Sequence, residues 1–180
     1  MNGQTVNIAE LIATFDALRV LTFALAVPMG IWAIVWAVMK LPSLGGGARG
    51  ASAPVTPAQV AIAWLAGIFM LYFPTTLEVA SETIFDTHPF SYAEATGSMM
   101  GNTKMAYAVI TYVRTVGIMA ALYGLWLFFR MGSPSPGLQV SGGKVLSFLI
   151  AGILAFRIDA VNDAIAFFGF DLFKFIGYSG

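Results

Sequence analysis

The stretch Ala58–Ala80 is apolar on every side, and its charge is confined to one carboxylate, Glu78. At about 1.5 Å per residue, some 23 helical residues reach about 35 Å, enough to cross a hydrocarbon layer of about 30 Å. Three further stretches share this character, Ala17–Met39, Ala106–Arg130 and Val145–Phe168. Four such segments leave almost no chain for a water-soluble domain. The composition agrees: of 180 residues 58% are hydrophobic and 10% charged, with mean hydropathy +0.82, where a soluble domain carries about 25% charged residues. The reading is an all-α integral membrane protein, one domain of four transmembrane helices in two tandem hairpins.

Charge and cysteine exclude several functions. Net charge is zero, so no basic field argues for nucleic acid. The absence of cysteine removes disulfides, thiol catalysis and thiolate metal sites. His88 has no second ligand at metal spacing, and no metal site is expected. Gly137…Gly142-Gly143-Lys144 has a superficial likeness to a phosphate loop, but it is one residue too long. Val145 also stands where Ser or Thr must bind magnesium. No triad or carboxylate pair suggests an active site, so no catalysis is expected.

Local signals set the boundaries. Asn7 and Glu10 form a capping box, after which Ile8, Leu11, Ile12 and Phe15 share one face. This predicts an N-terminal amphipathic helix at the membrane interface, with an early start to span 1 as the other reading. The first fifteen residues hold Glu10 and no cation, unlike a cleaved signal peptide. Pro28 predicts a kink in span 1. Thr56, Pro57 and Gln59 supply N-cap, first-turn proline and capping glutamine for span 2. Pro74 breaks that span, and Thr75 or Thr76 is placed to satisfy a carbonyl it frees. Residues 41–57 and 132–143 are Gly/Ser/Pro hinges, 81–104 is a polar loop, and 169–180 is an aromatic tail suited to headgroups.

Lys40, Arg49, Arg130 and Lys144 flank the two short linkers, from which acids are absent. The positive-inside rule places those linkers in the cytoplasm and both termini outside. These four cations are candidate contacts for anionic phospholipid headgroups, or simply set topology. Intramembrane charges are the most informative residues, because each costs roughly 2.5–3.5 kcal/mol at a helix centre. Arg19, Glu78, Arg114, Arg157, Asp159 and Asp163 all lie in the outer halves of their spans. Asp159 and Asp163, four apart, share a face, and Arg114 or Arg19 is expected to pair with Asp159, Asp163 or Glu78. Such a cluster reads as glue between helices or as an ion pathway. Small-residue pairs at Ala26/Gly30, Ala63/Gly67, Ala120/Gly124 and Ser147/Ala151 predict close helix packing.

The two hairpins read as a parallel repeat. Gly30-Ile31-Trp32 matches Gly124-Leu125-Trp126, Ala66-Gly67-Ile68-Phe69 matches Ala151-Gly152-Ile153-Leu154, and Arg19 matches Arg114 in depth.

The order of these features resembles the DotE/IcmC family of type IVB secretion systems, whose conjugative-plasmid relative is TraQ. The resemblance rests on Ala37-Val38-Met39-Lys40-Leu41, Leu71-Tyr72-Phe73-Pro74, Tyr92, Val116-Gly117-Ile118, Gly124-Leu125-Trp126, and Lys144 ahead of Ala151-Gly152-Ile153-Leu154-Ala155. The charged Phe156-Arg157-Ile158-Asp159 departs from the more neutral stretch expected there. The resemblance implies an inner-membrane component of a DNA- or protein-exporting machine. It would be pilin-like, forming a homo-oligomer or filament, partnered by other secretion-system subunits and membrane lipid, and without direct nucleic-acid contact. A small oligomeric ion or solute transporter is the other class the charges allow.

Overall fold

A computed structural model describes residues 8–44, 55–85, 101–133 and 140–169. All elements among them are helices: α1 (Ile8–Leu44), α2 (Pro57–Leu71), α3 (Phe73–Phe85), α4 (Gly101–Gly132), α5 (Gly142–Phe156) and α6 (Ile158–Ala166). α1 and the Ala108–Gly132 part of α4 are each long and apolar enough to cross a membrane. α2 with α3, and α5 with α6, reach that criterion only as pairs, bent by 95° and 83°. The chain is therefore a helical membrane protein with two single-helix candidate spans and, where each bent pair is one span, two broken ones; the break in span 2 is expected from Pro74, and the one in span 4 is not. α2 and α5 have 15 residues each, about 22 Å at 1.5 Å per residue, short of a hydrocarbon core of about 30 Å.

Of the two readings of the N-terminal segment, the early start to span 1 holds. Ile8–Phe15 is not a separate interfacial helix but the opening turns of the 37-residue α1, which continues through Pro28 without interruption. Phe15 packs on Tyr112 of α4 at 5.3 Å between ring centroids, which ties these turns to the bundle. Asn7 lies outside the described residues. The start of α2 follows the sequence closely. Gln59 N–H donates to Thr56 Oγ1 at 3.3 Å, and Thr56 N–H donates to Gln59 Oε1 at 2.9 Å.

The first bend has a clear cause. Pro74 has no N–H, and its ring would collide with the carbonyl four residues back. The helix turns at Tyr72, whose N–H still reaches the Ile68 carbonyl at 3.1 Å. Thr76 Oγ1 donates to the Phe69 carbonyl at 3.4 Å, so one of the two predicted threonines does serve the break. Phe73 then packs edge-on against Phe23 of α1, with centroids 5.8 Å apart.

Backbone approach at glycine holds the bundle. A Cβ on Gly30 would lie 2.9 Å from Leu71 N, and one on Gly117 would lie 2.7 Å from Phe156 N. A Cβ on Gly67 would lie 3.2 Å from Ile34 N, and one on Gly152 would lie 2.7 Å from Ala121 N. These contacts make α1–α2 and α4–α5 antiparallel pairs of one design. They also set the register of the repeat. Leu71/Phe156 and Gly67/Gly152 stand 85 positions apart, and Gly30/Gly117 and Ile34/Ala121 stand 87 apart. Gly30 thus corresponds to Gly117 rather than Gly124, and Ala37 corresponds to Gly124. The sequence match was displaced by two helical turns, which keep the same face. Arg114 corresponds to Val27 in this register, so Arg19 is not its repeat counterpart; Arg19 does lie at the depth of Arg114, four residues after Phe15, which meets Tyr112.

The halves run the same way. Phe15 meets Tyr112 near the beginnings of α1 and α4, and Trp36 meets Phe129 at 5.7 Å near their ends. α4 is the central helix, packed on α1, α2 and α5. Ala26, Ala33, Ala37, Ala63, Ala66 and Met70 are fully buried. The small-residue pairs of α1 and α2 lie in this core. Ser147 and Ala151 of α5 are exposed, and Gly117, Ala121, Gly124 and Gly152 make the α4–α5 seam instead.

The seam gives a paired prediction. Gly152→Ala places a methyl 2.7 Å from the Ala121 backbone, and overpacking of this kind costs about 1–3 kcal/mol. Gly143→Ala meets nothing within 4 Å and gains up to about 1 kcal/mol of helix propensity. Thermal unfolding in detergent should therefore fall for the first variant and hold or rise for the second.

Candidate functional site: a buried arginine–aspartate clasp

The second bend carries the chemistry. Arg157 has left helical geometry (φ −107°, ψ 46°) and is the joint between α5 and α6. In a straight helix, side chains two apart point away from each other. The bend lets Arg157 Nε approach Asp159 Oδ2 at 3.5 Å. Arg114 Nη2, from α4, donates to the other oxygen of the same carboxylate, Oδ1, at 2.7 Å. One aspartate is thus shared by two guanidiniums from different helices. Arg157 is 1% exposed, and its guanidinium carbon lies 5.6 Å from the centroid of the Phe85 ring at the end of α3. Thr115 and Asn162 are buried beside this centre in sequence. Gly117 allows the end of α5 to press on α4, with Phe156 N within 2.7 Å of its would-be Cβ. That contact sets the distance across which Arg114 reaches Asp159.

Of the six predicted intramembrane charges, the structure joins Arg114, Arg157 and Asp159. The other three are exposed and are not buried with the clasp, although Arg19 is near enough to Arg114 to act on it electrostatically. Arg19 is exposed and lies 4.0 Å from Asp16 on its own helix. Glu78 and Asp163 are exposed, so Asp163 does not share a buried face with Asp159. The Arg114–Asp159 pair was readable from the cost of intramembrane charge. The contact of Arg157 was not, because a continuous span 4 forbids it. Its signal was the repeat: Arg157 stands 85 positions after Tyr72, the joint of the first bend.

The predicted basic residues occupy one end of the bundle. Lys40 is near the end of α1, its ammonium 5.9 Å from the Trp36 ring centroid. Arg130 is in the last turn of α4, and Lys144 is in the first turn of α5. Arg49 lies outside the described residues, as does His88. Among the described residues no group of three His, Asp or Glu is placed to hold a metal ion. An open groove of about 510 Å³ runs between the first bend and the α4–α5 pair, lined by Tyr72, Phe73, Leu77, Leu125, Leu149 and Ile153 among others. Its walls are almost wholly hydrocarbon.

No protein family, curated protein or solved structure matches the chain.

The clasp predicts a sharp contrast between two aspartates. Asp159→Asn removes the carboxylate shared by Arg114 and Arg157, and breaking a buried ion pair costs about 3–5 kcal/mol. Asp163→Asn, at an exposed position, should change stability by no more than about 0.5 kcal/mol. Chemical or thermal unfolding of both variants in detergent checks this.

Proposed function

We propose that this chain is a structural, self-associating membrane subunit of a type IVB conjugation or secretion apparatus, either pilin-like or packed around an inner-membrane channel. Both hairpins then cross the bilayer, with the basic linker end in the cytoplasm, the termini periplasmic, and α3 and α6 lying along the outer boundary after their bends. The observation that carries the structural role is the clasp. The three buried charges are committed to joining α4, α5 and α6 to one another, and the outward faces carry many large apolar side chains. Support for the type IVB assignment comes from the order of the sequence features that resemble DotE/IcmC and TraQ. The apolar groove and the basic end suit acyl chains and phospholipid headgroups. A chain in this role needs no catalytic group.

A transporter is the second reading, and one observation favours it. Helices broken at corresponding positions of two repeats are a hallmark of transporter binding sites, and here the joints are Tyr72 and Arg157. Against it, the first joint carries no charged residue, and Asp163 is exposed where Arg114, Arg157 and Asp159 are buried.

Two measurements separate the readings. Filaments sheared from cells and inner-membrane complexes isolated with the tagged chain should both be analysed by mass spectrometry. The structural reading expects the chain in one or both, together with secretion subunits; its absence from both sinks that reading. The transporter reading expects ion flux in liposomes, abolished by Arg114→Gln in protein that remains folded; a flat trace for the wild-type protein counts against it.

A further inference from the structure

Among the described residues the repeat leaves a position unfilled. Within the chain, α4 lies in the notch between α1 and α2 and packs on both. The counterpart of that notch is the one between α4 and α5, and the counterpart of α4 in the next register is an α1. A twofold relation between the halves would close the arrangement internally, with α1 packing on α5 as α2 packs on α4. Among the described residues, α1–α5 and α2–α6 are not packed helix pairs, although α2–α4 and α3–α5 are. The relation between halves is therefore open-ended.

Burial records the same asymmetry residue by residue. On α4, Ile118, Leu122 and Leu125 are buried, at 1–7% exposure. Their counterparts on α1, 87 positions earlier, are Ile31, Val35 and Val38, at 45–51%. On α2, Ala66 is fully buried; its counterpart on α5, Ala151, is exposed. On α1, Thr22 is buried and Trp36 packs on α4; their counterparts on α4, Val109 and Tyr123, are 41% and 45% exposed. Tyr123 and Phe148 of α5 meet edge to face at 4.9 Å in that notch. One face of α1 and one notch of α4–α5 are thus open, and they are the counterparts of two surfaces that already fit each other inside the chain.

We propose that copies of this chain associate head to tail, with α1 of one copy seated in the α4–α5 notch of the next. This specifies the interface for the self-association proposed above, and it rests on that reading. Such a contact uses different surfaces on the two partners. It therefore propagates into a ring or an open filament and does not stop at a symmetric dimer. The occupant is a second copy because the helix that fills the equivalent notch is the structural counterpart of α1, set in the same direction. Lipid alone would leave the match between the two open surfaces without a role.

Cross-linking tests the register. The internal contact Trp36–Phe129 has as its counterpart Tyr123 of one copy against Pro42 of the next. Native cysteine is absent, so Pro42→Cys and Tyr123→Cys, singly and together, can be joined by a short bifunctional thiol reagent in membranes. Within one chain the two sites are separated by about 12 helical positions relative to the Trp36–Phe129 contact, or about 18 Å, beyond the reagent. The double variant should give a ladder of dimers, trimers and higher species. Mixed single variants should stop at dimers, and each single variant alone should stay uncross-linked. Cross-linking by one single variant alone, or no ladder from a double variant that sedimentation still finds oligomeric, overturns the interface and leaves self-association standing. A double variant and a wild-type chain that are both monomeric in membranes overturn both.

Discussion

The bundle depends on helix backbones touching at glycine. Between helices surrounded by acyl chains there is little hydrophobic force, because lipid is as apolar as leucine. Association then relies on dispersion at short range, and that requires side chains small enough to let main chains meet. Gly30 and Gly67 do this for α1 and α2, and Gly117 and Gly152 do it for α4 and α5, each with backbone atoms of the partner about 3 Å from an imagined Cβ. The rest of the architecture follows from these four positions. They fix the antiparallel pairs, and they bring the end of α5 against α4 where the charges meet.

The two bends solve one geometric problem by different means. Both follow a 15-residue helix with a glycine five positions before the joint. At Tyr72 the proline two residues on removes a backbone donor and favours the bend, and a threonine hydroxyl serves a freed carbonyl. At Arg157 no proline is present. There the bend turns a pair of residues that would face apart into neighbours around one carboxylate. Removing two cations and an anion from water is expensive, and the attraction between them repays the cost only with good geometry. The 2.7 Å hydrogen bond from Arg114 supplies that geometry, Arg157 Nε stands 3.5 Å from the second oxygen, and together they bring three helices to one point.

Much of this was legible in the sequence. Thr56-Pro57-Gln59 announced the start of α2 because a capping box is local chemistry. Pro74 announced the first bend for the same reason. Arg114 and Asp159 could be paired because charge in a membrane demands a partner. What the sequence could not convey was a bend without a proline, so Arg157 was assigned to the right cluster without its geometry. The repeat was visible but misregistered. Positions seven apart lie on nearly the same face of a helix, and Gly-Ile-Trp matches Gly-Leu-Trp as words while the backbone contacts equate Gly30 with Gly117. Arg19 and Glu78 were grouped with the clasp by depth, and Asp163 by its helix face with Asp159; neither criterion says which side chains the bundle buries.

Two halves of one design, pointing the same way, are the core of this account. Labelling with a membrane-impermeant maleimide tests it most directly, using single cysteines at exposed positions in sealed vesicles. Met39→Cys near the end of α1 and Gly143→Cys at the start of α5 should react from one side of the membrane. Ile84→Cys in α3 and Phe167→Cys after α6 should react from the other. If Met39→Cys and Gly143→Cys were labelled from opposite sides, the halves would be inverted and the account would be wrong.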